Sequence, residues 1–381
     1  MALDFLSPVN SEILDFVEDL STQHLGKKIV FHTHDDFPDL KKVKIAIIGV
    51  LENRGNSNLK NEVNLDYIRK EFYGLFPGNW NISIADLGDL EAGEAIEDSY
   101  FALQKVTAFL IKNNIIPVVI GGSQDLTYPL YRAFDKLEQQ VNVVAIDSKF
   151  DLYRENSCAA NSYLTRMIVE EPNNLFNYSN IGYQTYFNSQ EEIDLIEKLY
   201  FDAYRIGEIN SNIEIAEPVF RDADLITIDF NSIISSHSGN LTTFMSNGFN
   251  GKEICTLARY AGISDKVSIF GFFNHNSTKA ESGLLAQILW YFIEGVNCRS
   301  NEYPFGTKQN YIKYTVTLDE DLVFYKSDVT DRWWIEIPII LSKQNINKKV
   351  TLLPCSNKDY LDACSGDVPE RYWKMQRKNL I

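Results

Sequence analysis

The chain has 381 residues, 45% hydrophobic and 13% aromatic, which is enough apolar side chain for a large buried core and excludes a disordered or low-complexity chain. Acids outnumber bases 52 to 36, and the net charge of −16 argues against a basic surface that follows nucleic-acid phosphates. The five cysteines are scattered with no C-x-x-C, a usage that fits reduced thiols in a cytoplasmic protein and no zinc cluster.

Met1-Ala2-Leu3-Asp4 lacks the basic and apolar regions of a signal peptide. Residues 11–23 have helical spacing, with Ile13, Leu14, Phe16, Val17 and Leu20 along one side and Ser11 as a cap. Residues 43–50 (VKIAIIGV) form a near-continuous apolar run, the mark of a strand buried on both faces. A helix over 65–75, a strand over 82–87 and a long helix over 91–112 follow. The strand at 116–120 ends in Gly121-Gly122 and precedes a helix over 126–137; the strand at 141–146 ends at Asp147. A shorter strand near Ile181 precedes a helix over 190–200. Strands at 225–229 and 267–272 precede helices over 251–261 and 279–294. The greasy run 283–293 (GLLAQILWYFI) is too short to span a membrane. Beyond about Ser300, residues 311–318, 322–325 and 333–340 read as antiparallel strands, and 358–378 as helix with a break near Pro369. The division is thus an N-terminal helical segment (1–40), an α/β core (41–300) and a C-terminal β-rich appendage packed on the core (301–381).

Strands that alternate with helices imply a parallel sheet with right-handed crossovers. In such sheets the working residues lie just past the C-terminal ends of strands. Those ends carry Gly121-Gly122-Ser-Gln124-Asp125, Asp147-Ser-Lys149-Phe-Asp151, Asp229-Phe-Asn231 and Asn274-His275-Asn276.

At these residues the chain resembles the ureohydrolases: arginase, agmatinase and formimidoylglutamase. That family carries G-G-x-H, D-A-H-x-D, S-x-D-x-D and a later E-x-N-P, each after a strand. The resemblance covers about 40–300 and is closest to a formimidoylglutamase-like protein. It implies a three-layer αβα fold with a mostly parallel sheet, and a homo-oligomer, since ureohydrolases are commonly trimers or hexamers. In the family six ligands hold two Mn²⁺ ions whose shared hydroxide attacks a guanidinium or formimino carbon. Carried over by position, the first histidine becomes Gln124. The next motif keeps Asp147 and Asp151 but has Lys149 for its histidine. Asp229 survives, its partner becomes Asn231, and the substrate-contacting glutamate becomes Asn274. Both histidine ligands are gone: of the five histidines, none lies between His34 and His237.

An ammonium has no lone pair for a metal, so Lys149 is expected to bridge Asp147 and Asp229 in place of the second ion. Gln124, Asp147, Asp151 and Asp229 still offer oxygens to one weakly bound divalent cation such as Mn²⁺, Mg²⁺ or Ca²⁺. Without metal, Asp151 or Asp229 would have to act as general base, which needs a raised pKa; the Lys149 charge is expected to lower it. Arg154 and His275 are candidates for a substrate pocket, with solvated surface positions as the plainer reading. His32-Thr-His34-Asp35-Asp36 offers ligand types but reads as an N-terminal loop away from the strand ends. Gly121-Gly122 reads as a tight turn, not a phosphate loop. Trp333, Trp334 and the flanking strands read as core, with a protein-partner surface as the other reading. No cofactor is expected. The reading is an arginase-fold protein that has lost dinuclear catalysis and serves a binding, scaffolding or regulatory role. The alternative is a metal-dependent hydrolase of linear amidines with atypical ligands.

Overall fold

The near-continuous apolar runs lie in the middle of one large sheet. A computed structural model describes residues 2–57, 64–137, 139–153, 158–302, 309–338 and 350–378. The main sheet contains β1 (Leu6–Ser7), β2 (Ile29–Phe31), β3 (Ile45–Val50), β4 (Ile84–Leu90), β5 (Ile116–Ile120), β6 (Val141–Ile146), β7 (Leu175–Tyr183), β8 (Asp202–Arg205), β9 (Leu225–Asp229) and β10 (Ile269–Phe273). Its order is β1-β4-β3-β5-β10-β9-β6-β7-β8, with β2 also on β4. Among the described residues, only the β1–β4 pairing of this sheet is antiparallel.

Alternate side chains of each central strand enter opposite layers. Ile45 and Ile47 join Val118, Ile226 and Phe270 on one face, under helices Asp66–Tyr73, Gly251–Ile263 and Lys279–Asn297. Ala46 and Ile48 join Val119, Val143 and Leu225 on the other, under helices Ile96–Lys112 and Tyr163–Val169. This is an α/β fold with helices on both faces of a mostly parallel sheet. Among the described residues no helix is long and apolar enough to cross a membrane.

Several expected elements differ in extent. The strand expected to be short near Ile181 has nine residues. Its apolar run is broken by Asn177, Ser179 and Asn180, all buried; Asn177 and Ser179 hydrogen-bond to Asp202 on β8, at 3.0 and 3.4 Å. The helix expected over 126–137 is regular only over Thr127–Arg132, after one 3-10 turn at Gln124–Leu126. The helix expected from 91 starts at Ile96, where the Asp98 carboxylate accepts the Ala95 N–H.

The C-terminal residues form a separate antiparallel sheet of β11 (Tyr311–Thr317), β12 (Asp321–Ser327), β13 (Trp333–Pro338) and β14 (Val350–Cys355). Residues 339 and 340 of the third expected strand lie outside the described residues. Helices Asn357–Cys364 and Glu370–Lys378 cover this sheet, and Trp333 stacks on Tyr360 with ring centres 4.7 Å apart. Arg221 joins it to the main layers. The guanidinium is buried, donates to the Trp333 carbonyl (3.1 Å) and the Cys355 carbonyl (2.9 Å), and lies over the Trp334 ring. Trp334 is itself fully buried, as the core reading of that pair expects.

Candidate functional site

β5, β10, β9 and β6 are consecutive neighbours in the sheet. Because they run parallel, their C-terminal ends bring four motif loops to one place. Gly122 makes the first turn possible. Its φ is +74°, and a Cβ there would lie 2.2 Å from the Glu52 carbonyl oxygen. The loop after β3 therefore packs directly against the loop after β5.

Asp147, Asp151 and Asp229 form the floor of the site. All three are buried, and one oxygen from each lies within 4.8 Å of the others. Asp151 adopts φ +54°, a left-handed conformation that Asp tolerates better than most residues. Asp147 Oδ1 accepts the Lys149 backbone N–H at 2.9 Å, while Oδ2 has no hydrogen-bond partner among the described residues. Both Asp229 oxygens are engaged: Oδ1 by the Asn231 N–H and Oδ2 by Asn274 Nδ2, each at 2.7 Å. Gln124 is buried; its Nε2 faces the hydroxyls of Thr127 and Thr227 at 3.3 Å, and its Oε1 has no partner among the described residues.

Burial raises all three carboxyl pKa values, and neighbouring carboxylates add to it at Asp147 and Asp151. Asp151 is pushed up to about 8, first by burial and then by Asp229. Burial, with Asp229 and Asp151, holds Asp147 well above the usual range. Burial also raises Asp229, against the N–H donors of Asn231 and Asn274. The expectation that Lys149 would lower these values is corrected here: its charge acts in that direction, but burial outweighs it. A carboxyl with a raised folded pKa binds more protons folded than unfolded, so stability falls as pH rises from about 4 towards 8. The metal-free protein is expected to lose stability over that window, with a limiting slope of about 1.4 kcal/mol per pH unit for each carboxyl involved. Asp151→Asn should flatten the profile and be more stable than wild type at pH 8. Thermal melts at pH 5 and pH 8 check this; parallel profiles for the two proteins would refute it.

The expected Lys149 bridge is not formed. Among the described residues Lys149 makes no ion pair, and its ammonium lies 5.9 Å from the centre of the Phe187 ring. Asn231 and Asn274 already donate to the two oxygens of Asp229, one of the two residues the lysine was expected to bridge. His275 is buried rather than exposed. Its Nδ1 pairs with Ser277 Oγ at 3.1 Å, its Nε2 has no partner among the described residues, and burial lowers its pKa to about 4, so the ring is neutral. It is not one of the clustered ligands. Arg154 lies outside the described residues. His32 is structural: Nδ1 pairs with the Leu87 carbonyl oxygen at 3.0 Å and the ring packs on Phe37.

The sequence reading passed over the loop after β3. Asn56 Nδ2 donates to Asn274 Oδ1 at 3.0 Å, and a Cβ on Gly55 would lie 2.0 Å from Asp125 Oδ1. Burial works to raise the pKa of Glu52, but hydrogen bonds from Arg54 and Ser99 outweigh it and hold the carboxylate below its usual value. The signal that could have found this loop is topological: β3 neighbours β5, so its end also reaches the site.

As a donor set, the site offers three clustered carboxylates and one free amide oxygen. Lys149 lies between two of these carboxylates in sequence, and N–H donors sit on both oxygens of Asp229. No imidazole belongs to the cluster. That set does not fit two divalent ions, which need more anionic or lone-pair donors than remain.

The sequence profile of the arginase family matches residues 44–270. The formimidoylglutamase of Streptococcus gordonii is 22% identical over 235 residues, 56% of this chain and 71% of that protein. The formiminoglutamase of Trypanosoma cruzi, solved with Mn²⁺, superposes with a TM-score of 0.62 at 16% identity, over 69% of this chain and 97% of that one. The agmatine ureohydrolase of Thermoplasma volcanium superposes with a TM-score of 0.55 at 18% identity, over 75% and 97%. These superpositions are of the fold.

Proposed function

Since the chain belongs to the arginase family, we propose that it keeps the ureohydrolase fold for a non-hydrolytic role, as a binding, scaffolding or regulatory protein. One observation carries this reading. Both oxygens of Asp229 already accept N–H donors, and no imidazole belongs to the carboxylate cluster among the described residues. Metal-assisted C–N hydrolysis needs a bound, activated water, and that water depends on the missing donors.

A second reading has one observation in its favour. Three carboxylate oxygens within 4.8 Å, beside the partnerless Gln124 Oε1, are a set that one hard cation could use. Asp147, Asp151, Asp229 and Gln124 would hold it, and it would supply an activated water for hydrolysis of a linear amidine. Asp151 or Asp229 would then carry the proton. Incubation with formimidoylglutamate, agmatine or arginine, with and without Mn²⁺, separates the two. The non-hydrolytic reading expects no urea, ammonia or formamide above a protein-free control. Steady product release that scales with protein would overturn it.

A further inference from the structure

We propose that the Asn274 carboxamide is a fixed plug on the carboxylate site: it donates to Asp229 Oδ2, one of the oxygens open to a cation, and the loops after β3 and β5 lock it in that orientation. This deepens the proposed function and rests on its reading of the site as lacking a two-metal centre.

The orientation of the carboxamide is settled by chemistry. The Gln124 backbone N–H can only donate, and it faces Asn274 at 3.2 Å, so the atom it meets is Oδ1. Asn56 Nδ2 reaches the same oxygen at 3.0 Å. The other end of the carboxamide is therefore Nδ2, and it lies 2.7 Å from Asp229 Oδ2. The backbone is held as well: the Asn274 N–H donates to the Gly122 carbonyl at 2.9 Å, and φ is +60°, a conformation asparagine tolerates. The residue is buried, so water does not compete for these contacts.

A cation on Asp229 Oδ2 either displaces Nδ2 or takes the oxygen's other lone pair beside it. Turning the carboxamide over would aim its N–H₂ at the Gln124 N–H, a donor facing a donor, and its oxygen at the Asp229 carboxylate in a buried place. Leaving it in position keeps a positively polarised N–H₂ beside the incoming ion. Either way the chain resists the cation at this oxygen, and it does so without Lys149. A neutral amide thus supplies the donor for which a cation was the expected source. Asn56 lies on a different loop from every carboxylate of the floor, so the β3 loop sets how firmly the plug sits.

The test is Mn²⁺ titration, with free ion counted by electron paramagnetic resonance, on wild type, Asn274→Ala, Asn274→Asp and Asn56→Ala. Asn274→Ala is expected to tighten Mn²⁺ binding at least tenfold. Asn274→Asp, which also adds a charge, should tighten it more. Asn56→Ala should tighten it about threefold. An Asn274→Ala affinity within twofold of wild type would overturn the plug. If that variant does not fold by circular dichroism, Asn56→Ala decides, and unchanged affinity there overturns the proposal. The failure of the underlying reading looks different: wild type itself would bind about two Mn²⁺ per chain tightly.

Discussion

The combined substitutions Gln124→His, Lys149→His and Asn231→Asp are expected to tighten Mn²⁺ binding at least a hundredfold over wild type, about 2.8 kcal/mol. Each change acts through a separate physical effect. Gln124 and Lys149 offer no imidazole, and Lys149 adds a positive charge that acts on all three carboxyls of the floor. Asn231 donates its backbone N–H to Asp229, so a carboxylate there adds negative charge beside the floor. The acids that survive are already clustered, so the variant tests whether the scaffold is intact under altered chemistry. Calorimetric titration reads the gain. Binding no tighter than wild type would mean that the strand ends no longer present a metal geometry at all. The gain should grow further when Asn274 is also replaced.

Arg221→Ala is expected to cost about 2–5 kcal/mol of stability. The change leaves the Trp333 and Cys355 carbonyls without their donor in a buried place. It also removes the cation over Trp334 and the ion pair with Glu217 at 3.1 Å. Arg221 reaches two adjacent strands, β13 and β14, from a helix of the main layers. Its loss should therefore free the C-terminal sheet before the rest of the chain unfolds. Denaturant melts should show a new early transition, and limited proteolysis should release a fragment near residue 300. Arg221→Lys should recover only part of the loss, because one ammonium cannot reproduce a planar fork to two carbonyls. A change below about 1 kcal/mol for Arg221→Ala would show that the sheet is held by apolar packing alone.

The central strands are legible in the sequence because they are buried on both faces, so nearly every residue in β3, β5, β6, β9 and β10 is apolar. The positions of Asp147, Asp151 and Asp229 follow from that, since a parallel sheet delivers its strand ends to one side. β7 is underestimated because Asn177 and Ser179 are buried through hydrogen bonds to Asp202, a partner that no local pattern reveals. The direction of Lys149 is not legible either. A long side chain goes where contact is available, and here that is the Phe187 ring rather than the already satisfied Asp229. His275 sits between two asparagines and so reads as exposed, yet the fold buries it with its ring edge-on to Phe230. The contact between Asn56 and Asn274 spans most of the core in sequence and carries no periodic signal.

The chain thus presents an arginase-family sheet whose strand-end floor holds three buried, clustered acids. Whether that floor has given up the two-metal centre is answered most directly by counting metal in the wild-type protein purified with excess Mn²⁺, using inductively coupled plasma mass spectrometry. A site with one free amide oxygen, three buried acids and an amide on Asp229 should come through with almost no manganese. About two manganese ions per chain would contradict it, and with it the non-hydrolytic role.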